Sequence, residues 1–120
     1  MMLAAPISAQ DFQKGYEAYQ NGDYATALKE WTPLAEGGNS RAQFNLGVMY
    51  DDGQGVPQDD KEAVRWYTLA AEQGYANAQS ILGLMYYNCE GVLADFVTTH
   101  MWFNISAANE KKLATQLAPQ

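Results

Sequence analysis

The chain is poor in the residues that do covalent and metal chemistry. Of its 120 residues one is cysteine, Cys89, and one is histidine, His100. A single cysteine excludes an intramolecular disulfide, so the folded state has to be held by packing. A single histidine offers neither the base beside a nucleophile that covalent catalysis needs nor the several ligands of a metal site. Basic residues are also scarce. Seven lysines and arginines face fourteen carboxylates, for a net charge of -7, and the seven are scattered along the chain. With no basic stripe to follow a phosphate backbone, nucleic acid is not an expected partner, and the acidity reads as a solvated surface. No run approaches the roughly 20 apolar residues of a membrane-spanning helix. What remains is a chain that is 48% apolar and 12% aromatic. That is enough for one domain with a continuous core.

The positive signal is a repeat. Shifted by 36 residues, Ala42, Gln43, Leu46, Gly47, Met49, Tyr50, Gly55, Val56, Asp59, Trp66 and Ala71 fall on Ala78, Gln79, Leu82, Gly83, Met85, Tyr86, Gly91, Val92, Asp95, Trp102 and Ala107. A fixed period of this length means stacked copies of a unit too small to bury its own apolar face. Within a copy, Ala42, Leu46, Met49 and Tyr50 lie at helical spacing, as do Ala63, Trp66, Tyr67, Ala70 and Ala71. Each copy is therefore two antiparallel helices. Small residues stand where the backbones approach and large ones fill the space beside them. Between the helices, Gly53, Gly55 and Pro57 stop the first and Asp59 is placed to cap the second.

On these residues the chain resembles the SEL-one-like repeat family, relatives of the tetratricopeptide repeat. The pattern A-x-x-x-L-G-x-M-Y-x-x-G-x-G-V-x-x-D-x-x-x-A-x-x-W-x-x-x-A-A-x-x-G runs through Ala42–Gly74. The second copy departs from it at Cys89, Thr99, Ser106 and Glu110. The expected fold is all-α, an α/α superhelical solenoid of antiparallel helix pairs, with about three units and a short C-terminal capping helix. Residues 11–38 form an N-terminal hairpin with a shorter, tetratricopeptide-like connection, since Gly15 to Ala27 spans 12 residues where Gly47 to Ala63 spans 16. Residues 39–74 and 75–109 are the two fuller repeats. Residues 110–118 are the capping helix, ended by Pro119. Residues 1–9 have the apolar-then-small character of the end of a signal peptide, with a cut after Ala9, so a periplasmic or secreted bacterial protein is expected. Without a leader the location would be cytoplasmic.

Other candidate sites dissolve into structural roles. Asp51, Asp52, Asp59 and Asp60 flank a glycine loop, yet Gly53 and Gly55 occupy positions where a calcium-binding helical hand needs oxygen ligands. Gly53-Gln54-Gly55 follows a helix and lacks the lysine of a phosphate loop. Cys89 reads as an inert, partly covered thiol. His100, in register with Val64 and Leu28, reads as a partly buried structural residue. No metal, no cofactor and no catalytic residue is expected.

In tetratricopeptide proteins the first helices line the concave side, and the resemblance carries that geometry here. The concave positions are then Phe12, Tyr16, Tyr19 and Gln20 in the first unit, Arg41, Phe44, Val48, Asp51 and Asp52 in the second, and Asn77, Ser80, Leu84, Tyr87 and Asn88 in the third. Rings with polar edges suit an extended peptide or a partner helix. The expected function is a non-enzymatic interaction scaffold or adaptor, with a protein or peptide partner and monomer as the default state. Two alternatives stand beside it. One is a binder of glycans or peptidoglycan fragments that uses Tyr16, Tyr19, Tyr50, Tyr86 and Tyr87 as stacking platforms. The other is a binder or weak hydrolase of β-lactams, as the resemblance to secreted family members implies, although no serine stands in an S-x-x-K frame.

Overall fold

A computed structural model describes the backbone of residues 9–88, 90 and 96–117, and the side chains of residues 12–88, 90 and 97–112. The leader remnant (save Ala9) and Cys89 lie outside the described residues. Six helices follow in order: α1 (Ala9–Gln20), α2 (Tyr24–Glu36), α3 (Ser40–Asp52), α4 (Asp60–Glu72), α5 (Ala76–Asn88) and α6 (Phe96–Leu117). Each packs on its neighbours in sequence, α1 on α2, α2 on α3 and so on to α6. This is the nearest-neighbour arrangement of a solenoid, so the all-α stack of hairpins read from the 36-residue period is the fold.

Short polar side chains start the helices. Side-chain oxygens of Asp23, Asn39 and Asp59 accept from the backbone N–H three residues on, at 3.2, 2.9 and 3.2 Å. Each satisfies an N–H that has no partner inside its helix. Asp59 is thus the cap that the loop sequence predicts. The ends depend on glycine. Gly74, at φ +91°, turns the chain after α4, a conformation that a side chain resists. Glu110 stands at the equivalent place within α6, which runs for 22 residues where α4 has 13. The separate capping helix expected at 110–118 is therefore corrected: residues 110–117 prolong α6.

Three glycines set the spacing within the hairpins. A methyl group on Gly15 would stand 2.5 Å from Trp31 Nε1, one on Gly47 2.6 Å from Tyr67 Cδ1, and one on Gly83 2.9 Å from Phe103 Cε1. In each unit the ring of the second helix thus lies against bare backbone of the first. Trp31 and Tyr67 are among the largest fully buried side chains, and burying a ring of this size contributes about 2–3 kcal/mol. The Trp31 indole N–H donates to the Phe12 carbonyl at 3.1 Å, so its one polar atom is satisfied.

Between units the link is a buried glutamine. Gln43 Nε2 donates to the Ala35 carbonyl at 3.0 Å, and Gln79 Nε2 repeats this to the Ala71 carbonyl at 3.0 Å. Their Oε1 atoms accept from Gln73 at 2.8 Å and Asn109 at 2.9 Å. One amide therefore ties the first helix of a unit both to the preceding second helix and to its own.

His100 is exposed rather than partly buried. Its register mate Val64 is half-buried because α5 covers that side of α4, and among the described residues no helix lies beyond α6 to do the same.

Candidate interaction surface

The first helices α1 and α3 enclose an apolar depression of about 220 Å³, lined by Tyr16, Tyr19, Trp31, Phe44, Asn45 and Val48. Four of these, Tyr16, Tyr19, Phe44 and Val48, are positions that the repeat register assigns to the concave side. Trp31 rises from α2 between the two helices, because the glycine opposite it leaves room for the ring. Tyr19 is fixed at the rim: its hydroxyl donates to Gln54 Oε1 at 2.8 Å, and its ring lies 5.6 Å from that of Trp31. Tyr16 is 38% exposed. The lining carries no charge, so this cavity accepts an apolar side chain, and Asn45 adds an amide able both to donate and to accept.

The remaining concave positions divide by what they touch. Phe12 is buried, stacked on Trp31 at 5.6 Å between ring centres, with the Arg41 guanidinium 4.4 Å above its ring. Phe12 is thus a core residue, a correction to its expected surface role. It packs inward because Trp31 crosses beneath α1, and Arg41 closes over it. Phe44 is half-buried, with Tyr67 at 5.7 Å and Tyr75 at 5.0 Å, so part of its ring serves the α3–α4–α5 joint. Ser80 is half-buried with its hydroxyl 2.6 Å from that of Ser106. Gln20, Asp52, Asn77 and Asn88 are exposed, as are Leu84 and Tyr87, at 51% and 58%. Tyr50 and Tyr86 are half-buried and pack against the core.

One turn beyond Val48 the surface becomes acidic. Asp51 accepts from the Tyr67 hydroxyl at 3.4 Å. Burial, followed by the charges of Asp52, Asp60 and Glu90, pushes its carboxyl above the ordinary carboxylate value, and the Tyr67 bond opposes them. Burial and the charges of Asp51 and Asp52 in turn push the Tyr67 phenol upward. Among the described residues, no group of three or more histidine, cysteine, aspartate or glutamate side chains could hold a metal ion.

Two lining residues, Trp31 and Asn45, are not among the positions inferred from the sequence. Trp31 stands 36 residues before Tyr67 and so reads as core. Asn45 had a signal only in being next to Phe44 on the same helix.

The stacked hairpins with an open first-helix face define an α/α repeat scaffold. The Sel1 repeat matches residues 40–75 and 76–110, and the chain belongs to the Sel1 repeat family. Such repeats are generally non-catalytic protein-interaction scaffolds. A protective antigen of uropathogenic Escherichia coli that displays an SLR fold superposes with a TM-score of 0.76 at 38% identity, over 82% of this chain and 22% of that one. A Sel1 repeat protein from Oxalobacter formigenes gives 0.69 at 38% identity, over 74% and 26%. In sequence, the chain is 41% identical over 56 residues to the exopolysaccharide production negative regulator of Rhizobium leguminosarum bv. viciae, covering 47% of this chain and 21% of the regulator. It is 42% identical over 50 residues to DAP3-binding cell death enhancer 1 of Rattus norvegicus, covering 42% of this chain and 10% of that protein. The chain thus spans about a fifth of the first relative's length and a tenth of the second's.

Proposed function

We propose that this chain is a non-enzymatic docking module that holds a peptide or helical segment of a protein partner on its concave face, with an apolar side chain of the partner seated between α1 and α3. The observation that carries the reading is the uncharged depression of about 220 Å³ on the first-helix side. An anchor side chain buried in such a pocket supplies most of the affinity in interfaces of this kind. The general role of Sel1 repeats in protein interaction supports it. The test is selection of binding sequences from a random peptide library displayed against the whole chain, followed by NMR mapping of the winners. The reading requires shifts centred on Tyr16, Asn45 and Val48, and a loss of affinity of about tenfold or more in Tyr16→Ala with little change in melting temperature. Selected peptides that map elsewhere, or a library that yields none, would overturn it.

A further inference from the structure

The second helices of the three units each present one row away from the neighbouring helices, and its character reverses in the last unit. On α2 the row is Ala25, Lys29 and Pro33, and on α4 it is Lys61, Arg65 and Leu69. In both units every one of these residues is exposed. On α4 the Arg65 guanidinium donates to Glu62 and lies 4.3 Å from the Trp66 ring centre, a solvated arrangement. On α6 the same row reads Val97, Met101 and Ile105, at 81%, 45% and 36% exposure, and continues to exposed Ala108.

The side of α6 on which a following hairpin would stack has changed in the opposite sense. Where α4 has half-buried Val64 and Thr68 and buried Ala71, α6 has His100, Asn104 and Ala107, all exposed. A further unit would sit on this more polar side and leave the apolar row uncovered. The row is therefore suited to a contact outside the stacking direction.

Charge indicates what that contact is. Of the fourteen carboxylates only Glu110 lies on α6, beside Lys111 and Lys112, and residues 97–109 contain none. α5 carries no carboxylate either, so α5 and α6 together form the stretch along which two acidic copies of the chain repel least. Of these two helices α6 is the one whose outer row is apolar throughout, since α5 exposes Asn77 and Asn88 beside Leu84 and Tyr87. From Val97 to Ala108 the row rises about 16 Å, and in an antiparallel pair Met101 of one copy faces Ile105 of the other while Ala108 gives space beside Val97. We propose that the outer row of α6 is a self-association surface through which two copies of this chain pair by antiparallel α6 helices. This does not rest on the concave groove.

The test is sedimentation equilibrium of the whole chain under reducing conditions, so that Cys89 cannot link copies. A row smaller than the roughly 800 Å² per partner of a standard interface should dissociate between about 1 µM and about 1 mM. The expected result is a mass rising toward twice the monomer over that range. Met101→Glu should move the midpoint up by about tenfold or more, and Lys61→Glu, on the corresponding row of α4, should leave it in place. If Met101→Glu lowers helicity, Val97→Lys at the most exposed position replaces it. A constant monomer mass overturns the proposal, as does a dimer indifferent to both substitutions. So does a monomer that instead co-sediments with phosphatidylcholine vesicles, which would give the row to lipid.

Discussion

Tyr67 and Phe103 occupy the same place in successive units, each ring set against a glycine of the preceding helix. Tyr67 is 1% exposed and Phe103 36%. Two neighbours differ. Phe44 of the same unit lies 5.7 Å from the Tyr67 ring where the third unit has Ser80, and beyond Tyr67 stands α5, preceded by Tyr75, whose ring packs on Phe44. Beyond Phe103, among the described residues, nothing follows. The repeat dictates what a side chain can pack against, while its burial depends on whether the next unit is present to cover it.

The largest effect should come from removing the two rings. Tyr67→Ala should cost about 3–5 kcal/mol and Phe103→Ala under about 2 kcal/mol in chemical denaturation, because only the first opens a cavity closed on every side. Equal losses would mean that the last unit is as tightly covered as the middle one. The glycines should show the same gradient. Gly47→Ala forces a methyl against the Tyr67 ring and should destabilise by about 1–3 kcal/mol. Gly83→Ala should fall well short of that, since the half-open Phe103 ring can shift and alanine favours a helix over glycine by about 1 kcal/mol. Thermal melts of the pair read this directly. The glutamines ought to ignore the gradient: Gln43→Leu and Gln79→Leu each remove two hydrogen bonds, one to the Ala35 or Ala71 carbonyl, which keeps the Gly38 or Gly74 N–H, and one from Gln73 or Asn109, and each should lose about 1–3 kcal/mol.

The smallest effect is that of pH. Because the Asp51 carboxyl is raised on folding, the native state holds this proton more tightly than the unfolded chain. Its contribution to stability therefore falls as pH rises from the unfolded carboxylate value through the raised one. Asp51→Asn keeps an acceptor for Tyr67 and should melt slightly higher than the parent at neutral pH. The advantage should vanish in acid, below the unfolded value. A parent–variant difference that does not change with pH would show that burial and like charge do not act on Asp51 as described.

Much of this was legible in the chain itself. Helix pairs, the Asp59 cap and the close approach at Gly47 all follow from spacing, because helical periodicity and turn residues are local signals. The line of α1 and α3 along the concave side is what the resemblance to tetratricopeptide proteins implies, and four of its positions, Tyr16, Tyr19, Phe44 and Val48, line the depression. Register failed where a third element intervenes. Phe12 shares its repeat position with Phe44 and Ser80, but only Phe12 has Trp31 stacked beneath it and Arg41 above. His100 inherits the position of half-buried Val64 without inheriting a cover. The long α6 was hidden for a similar reason: Glu110 breaks the glycine stop, and a missing stop is harder to see than a present one.

Contact only between successive hairpins carries a consequence for assembly. No segment has to wait for a distant one, so loop closure costs little and folding can start locally and spread. The uneven covering of the rings gives that spread a direction. Structure should gather first in the span from Trp31 to Tyr75, where large side chains are enclosed, and α6 should settle last and loosen first. Under native conditions its amides would then exchange with solvent well before those of α3 and α4.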